Sequence, residues 1–129
     1  MSFIMVDTVL NTSPQYIETR KLLSIAEEVY EIHFPHYPVL PAVLLIENIK
    51  QSIDILFQKE NERKDTITYI DEVKKLKIYR SVQPGGILDT KVSLEKNENE
   101  RFYFKAIIYE SQQIVAKCNV VIMTKRREN

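Results

Sequence analysis

The chain has 129 residues, 44% of them hydrophobic, and 18 Lys plus Arg are balanced by 18 Asp plus Glu for a formal net charge of +0. That length favours one domain (1–129), and the apolar share supports a continuous core and excludes a disordered chain. The missing basic excess argues against a nucleic-acid binder, and a single cysteine, Cys118, allows no internal disulfide and suits a cytoplasmic, reducing setting. The first ten residues contain Asp7 and lack a basic start followed by a long apolar run, so they do not read as a signal peptide. No window approaches the roughly 18 uncharged apolar residues of a membrane span.

In chain order, residues 7–10 and 16–23 read as two short strands around a turn at 11–14. Residues 43–57 read as a helix, with Leu45, Ile46, Ile49, Ile53, Leu56 and Phe57 on one face, and Val43 and Leu44 widening the apolar surface near its start. A helix apolar over so much of its circumference is expected to be wrapped by other structure. Pro41 suits a first helical turn, where its missing N–H costs nothing. Residues 58–65 are charged and polar, a connection too short to divide domains. Beyond them the period becomes two. Leu76, Ile78 and Arg80 alternate with Lys75, Lys77 and Tyr79, and Pro84-Gly85-Gly86 is a turn. Leu88, Thr90, Val92 and Leu94 form an inward series, residues 96–100 a polar hairpin loop, and Phe102, Phe104, Ala106 and Ile108 a second inward series. Ser111-Gln112 is a turn, and residues 114–124 are the last strand. Long consecutive strands with short turns imply an antiparallel sheet, and one buried helix with one large sheet gives an α+β fold in which the sheet curls around the helix. Cys118 falls in an apolar run and reads as a buried small hydrophobe. The basic clusters Lys74, Lys75, Lys77 and Lys125, Arg126, Arg127 read as a solvated strand edge and a frayed terminus.

Between the second strand and the helix lies His33-Phe34-Pro35-His36-Tyr37-Pro38-Val39-Leu40-Pro41, and the helix then carries one carboxylate, Glu47. A rigid, proline-punctuated loop thus presents a nitrogen base beside an apolar helix that bears an acid. Histidine ionises near working pH and suits proton removal. A carboxyl in an apolar pocket tends to keep its proton and can deliver it. The start of the helix near Ala42 offers free N–H groups and the positive end of a dipole, which would stabilise negative charge as an oxyanion hole does. Gln51 lies one turn after Glu47 and shares its face, where it either orients the carboxyl, binds water or packs. His36, three residues after His33, invites a metal reading, but two histidines without a third ligand make a poor zinc site, so it reads as a loop or channel-mouth residue. Tyr69 and Tyr79 either line a channel or occupy the sheet.

The segment from His33 to Gln51 resembles the β-hydroxyacyl-acyl-carrier-protein dehydratases, which have the hotdog fold: a His-Phe-Pro loop, Pro-Val-x-Pro, a small residue, Val-Leu, then a helix with Glu and Gln. The matching residues are His33-Phe34-Pro35, Pro38-Val39-Leu40-Pro41, Ala42, Val43-Leu44, Glu47 and Gln51, and Glu47 follows His33 by 14 positions (47 − 33), as in the family. Residues 3–10 resemble the family's N-terminal Val-Asp-x-Val/Leu segment, and Arg80-Ser81-Val82-Gln83-Pro84-Gly85 its Arg-x-Val-x-Pro-Gly turn. The chain departs from the pattern where Ile32, His36 and Ala42 stand for glycines. Ala42 keeps the backbone N–H that the family uses to hold a thioester carbonyl, but adds a methyl group beside a tight acyl channel.

The resemblance implies dehydration of a (3R)-3-hydroxyacyl thioester on an acyl carrier protein to the trans-2-enoyl thioester, in fatty-acid or specialised polyketide or polyene lipid synthesis. It implies His33 as base, Glu47 as acid, and substrate contacts from Phe34, Ala42, Val43 and Gln51. It implies no metal or redox cofactor. His33 and Glu47 would come from different subunits of a dimer or larger homo-oligomer, or of a heteromer with another hotdog subunit. An acidic carrier would meet a basic rim, for which Lys50, Lys74, Lys75 and Arg80 are the candidates. Two other readings stay open: a non-catalytic hotdog subunit that binds acyl chains or completes an active homologue, and a thioesterase in which a carboxylate activates water.

Overall fold

The computed structural model describes residues 3–24, 40–59 and 65–126. Six strands form one sheet: β1 (Thr8–Ser13), β2 (Tyr16–Leu22), β3 (Thr66–Ile78), β4 (Ile87–Glu98), β5 (Arg101–Glu110) and β6 (Gln113–Arg126). Among the described residues one helix, α1 (Ala42–Gln58), lies between β2 and β3 in the chain. The strand order is β1-β2-β4-β5-β6-β3, and every neighbouring pair is antiparallel. The α+β arrangement expected from the sequence is therefore present. No helix among the described residues is long and apolar enough to cross a membrane.

The inward series build the core. Leu88, Thr90 and Val92 of β4 and Phe102, Phe104, Ala106 and Ile108 of β5 are buried and alternate with more open residues as the pleat requires, while in β6 Ala116, Cys118, Val120 and Ile122 are buried together with Val115 and Val121 of the opposite parity. Leu44, Leu45, Ile49, Ile53, Leu56 and Phe57 of α1 join the same cluster. The Phe57 ring meets Phe102 edge-on at 5.0 Å and Phe104 at 5.9 Å, the geometry that aromatic quadrupoles favour. Burial pushes the Cys118 thiol from its ordinary 9.0 up to about 11, so this residue is the buried hydrophobe its apolar run implies.

Several expectations need correction. β4 runs to Glu98, so the 96–100 loop shrinks to the pair Asn99 and Glu100, both with positive φ (50° and 66°). Two successive positive-φ residues match the twist of the flanking strands, and the ladder continues to the turn. β1 likewise reaches Ser13, beyond the expected turn start at Asn11. Lys125 and Arg126 are not a frayed end: they pair with Ile67 and Thr66 in the β3–β6 ladder. β3 is an edge strand, as the Lys74–Lys77 cluster implied, but Leu76 and Ile78 are 40% and 47% exposed. Every residue from Asp71 to Ile78 is exposed, on both faces of the strand, so alternation there does not report burial; two register shifts and a positive φ at Lys75 also interrupt the ladder. The wrapping of α1 is also partial, because Val43 at its start is 70% exposed.

The helix entry is held by the Pro-Gly turn. Leu23 N–H donates to Gly86 O and Gly85 N–H to Leu23 O, tying that turn to the end of β2. Gly85 has φ +92°, which a side chain resists. Leu40 N–H donates to Val82 O at 2.8 Å, which fixes where α1 begins.

Candidate active site on the central helix

α1 divides into two faces. The sheet-facing positions are 44, 45, 48, 49, 52, 53, 56 and 57. Val43, Glu47 and Gln51 follow one another at four-residue steps on the other face, where side chains one turn apart meet. The helix starts at Ala42 behind Pro41, has no side-chain cap, and carries no acidic residue in its first turn. Its first-turn N–H groups and the positive end of its dipole are therefore not neutralised by a carboxylate of that turn.

Glu47 and Gln51 are both half-buried, and Gln51 Nε2 donates to Glu47 Oε1 at 3.0 Å. Of the three readings open for Gln51, the structure shows it touching the carboxyl. Its carboxamide also accepts from Met5 N–H (2.8 Å) and donates to Phe3 O (2.7 Å). The N-terminal segment thus lies against Gln51, the partner of Glu47.

A groove of about 320 Å³ opens at the helix start, with Leu40, Ala42, Leu45, Tyr79, Arg80 and Val82 among its lining residues. Ala42 borders it and Glu47 does not, so the described residues of one chain do not gather both around one cavity. His33 and Phe34, with Ile32 and His36, lie outside the described residues, and so does any metal reading of the histidine pair. Val43 and Ala42 are exposed at the first turn.

The proposed basic rim scatters. Lys50 is bonded to Asp54 one turn on (2.7 Å), its side chain only 16% exposed, and Thr68 Oγ1 also donates to Asp54. Lys74 pairs with Glu72 at 3.0 Å. Lys74 and Lys75 border a second groove of about 730 Å³ with Tyr103, Lys105 and Lys117, side chains that alternate with the inward Phe104 and Cys118 and so point away from α1. Only Arg80 flanks the groove at the helix start. Tyr69 and Tyr79 are 47% and 51% exposed on or beside the β3 edge, and Lys117 sits 5.8 Å from the Tyr79 ring.

The sequence reading missed a buried polar cluster. Asn48, Ser52, Thr19 and Thr90 are fully buried. Thr90 Oγ1 donates to Asn48 Oδ1 (2.6 Å), Asn48 Nδ2 to Met5 O (2.7 Å), and Ser52 Oγ to Asn48 O (2.9 Å). Ser52 and Thr19 hydroxyls meet at 2.8 Å; because the Ser52 proton is committed to Asn48 O, Thr19 is the donor there. The available signal was an Asn and a Ser one turn apart inside an otherwise apolar stripe, facing the Thr90 of an inward series.

Residues 1–122 match the family described as FabA-like domain. A 3-hydroxyacyl-(acyl-carrier-protein) dehydratase FabZ of Petrotoga mobilis is 27% identical over 96% of this chain and 88% of that protein. The FabZ dehydratase of Thermotoga neapolitana is 31% identical over 97% and 89%. Among solved structures, the dehydratase heterocomplex ApeI:P from Xenorhabdus doucetiae superposes with a TM-score of 0.78 at 15% identity, covering 95% of this chain and 84% of that one. A hot-dog-like protein from Thermanaerovibrio acidaminovorans superposes at 0.69 with 14% identity, covering 86% and 81%. The fold is the hotdog fold.

Proposed function

The chain belongs to the FabA-like domain family, and on that premise we propose that it removes water from 3-hydroxyacyl chains carried as thioesters on an acyl carrier protein, in fatty-acid synthesis, with His33 as base and Glu47 as acid. The observation that carries this reading is the half-buried Glu47, bonded by Gln51 on the helix face not covered by the sheet. In the reaction His33 takes the C2 proton, the C3–O bond breaks, and Glu47 protonates the departing hydroxyl. The products are a trans-2-enoyl thioester and water. Charge that grows on the thioester oxygen is met by backbone N–H groups near Ala42 and Val43, and the family resemblance makes Phe34 a further substrate contact. Gln51 divides the work of the Glu47 oxygens. Its N–H occupies Oε1 as an acceptor, which leaves Oε2 to carry the transferred proton.

A dimer fits the exposed edge. β3 is a 13-residue edge strand, and Ile67, Tyr69, Val73 and Ile78 along it are exposed. Long edges with apolar side chains are templates for pairing with another chain. Pairing of two copies there would give the dimer that the family resemblance implies for a site in which His33 and Glu47 come from different subunits. A cytoplasmic setting accords with the buried, protonated Cys118. A second reading follows from the likeness to a dehydratase heterocomplex: this chain would supply half of a site completed by a different hotdog subunit.

The test is mass spectrometry of a 3-hydroxyacyl carrier protein incubated with the purified chain, beside His33→Ala and Glu47→Gln, with sedimentation of the same samples. Loss of one water by wild type alone, in a dimer or larger species, is expected. No water loss at any chain length would move the assignment to the heteromer, and release of free acid would replace it with a thioesterase. A monomer that still dehydrates would rule out the shared site.

A further inference from the structure

The polar groups around residues 3–5 have fixed hydrogen-bond directions, and those directions converge on Glu47. A carbonyl only accepts and a backbone N–H only donates. Met5 N–H therefore requires Gln51 Oε1 on its side, and Phe3 O requires Nε2 on its own. The second proton of Nε2 is left to face Glu47 Oε1, which it meets at 3.0 Å. A free carboxamide rotates readily about its last torsion and would present its oxygen to Glu47 about as often as its nitrogen. Here the backbone of Phe3 and Met5 removes that choice.

Met5 is itself held from its other polar atom. Met5 O accepts from Asn48 Nδ2, which forces Asn48 Oδ1 toward Thr90, so the Thr90 hydroxyl is the donor. Asn48, Thr90 and the Met5 side chain are 0%, 0% and 2% exposed, so water does not compete for these bonds. Asn48 and Gln51 come from adjacent turns of α1, and Thr90 from β4. The chain of contacts thus runs from the sheet, through Asn48 and the Met5 backbone, to Gln51 and the carboxyl.

We propose that Thr90, Asn48 and the backbone of residues 3–5 form a positioning relay that fixes which end of the Gln51 carboxamide faces Glu47, and hence which carboxyl oxygen is free to give its proton to the substrate. The inference rests on the dehydratase reading above. None of these groups touches substrate; they act through Gln51. The relay makes the N-terminal segment part of the acid's setting, and its effect falls on the chemical step and spares substrate binding.

The test replaces Met5 by proline, which deletes the N–H alone among the relay's donors, and by leucine, which keeps the N–H and much of the volume. Steady-state dehydration of a soluble 3-hydroxyacyl thioester is followed together with thermal melting. The relay predicts that Met5→Pro loses roughly 10- to 100-fold in kcat, the scale of a mispositioned catalytic group, with KM within about twofold, while Met5→Leu stays near wild type. Equal kcat in the two variants, or a rise in KM with kcat unchanged, overturns it. If Met5→Pro does not fold, Thr90→Val against Thr90→Ser decides: kcat must fall in the first, recover in the second, and leave KM in place, and an unchanged kcat in Thr90→Val overturns the relay. A wild-type chain that removes no water fails the dehydratase reading itself, an outcome separate from an active wild type whose Met5→Pro variant is equally active.

Discussion

The two faces of α1 are built to opposite rules. On the sheet side, Ile49, Ile53, Leu56 and Phe57 are at most 3% exposed, the helix lies against β2 and β4, and Phe57 meets Phe102 and Phe104 of β5. On the other side, Val43 is 70% exposed, Glu47 and Gln51 are half-buried, and an ion pair joins Lys50 to Asp54. The first face holds the molecule together by area removed from water. The second carries groups that a folding argument alone would replace, an open valine and a carboxyl among them. Stability and chemistry are thereby separated on one cylinder, about half a turn apart.

That separation can be tested in order of expected effect. Ile53→Ala empties a fully buried position and should destabilise the fold by about 2–5 kcal/mol in a urea titration; a loss below about 1 kcal/mol would mean the sheet side does not dominate. A smaller signal comes from Cys118, which lines the same core. The unfolded thiol ionises near its ordinary 9.0, while the buried one keeps its proton to about 11. Between those values the unfolded chain sheds the proton first, so stability is intact below about pH 9 and falls as pH rises toward 11. The slope from this group is at most about 1.4 kcal/mol per pH unit. Cys118→Ala should flatten that decline, and identical slopes in both proteins would show that the thiol is not held neutral. The smallest stability effect belongs to Val43→Asp. A carboxylate in the first helical turn should add about 0.3–1 kcal/mol through the dipole, yet slow dehydration by placing negative charge where the thioester oxygen develops its own. Faster turnover in this variant would argue against the oxyanion role of the helix start.

Much of the sheet was legible because period-two patterning reports burial directly: the inward series beginning at Leu88 and Phe102 face the core as read. Turn lengths were not, because Asn99, Glu100, Ser111 and Gln112 all adopt positive φ without being glycine; composition marks Ser111-Gln112 as a turn and misjudges how far β4 extends. Leu76 and Ile78 misled for a different reason. Alternation reports burial only where one face of the strand is covered, and β3 is open on both faces from Asp71 to Ile78. At the site, the spacing of Glu47 and Gln51 put both on one face, and the bond between them follows. Asn48 and Ser52 escaped because a search for apolar periodicity passes over polar residues in the stripe, and their partners Met5, Thr19 and Thr90 are distant in sequence.

The paired positive-φ residues at 99–100 and 111–112 also shape how the entropy of assembly is distributed. With two-residue links, β4, β5 and β6 bring their partners together across very short loops. The β2–β4 ladder must instead join Tyr16 to Ser93, and the β3–β6 ladder Thr66 to Arg126. Loop closure grows costlier with length, and contacts near in sequence are the least expensive to form. The three-stranded meander is thus the most local part of the topology. It supplies Phe102 and Phe104, on which Phe57 docks, and β4, one of the two strands that the helix lies against; the other, β2, is added through the distant β2–β4 ladder.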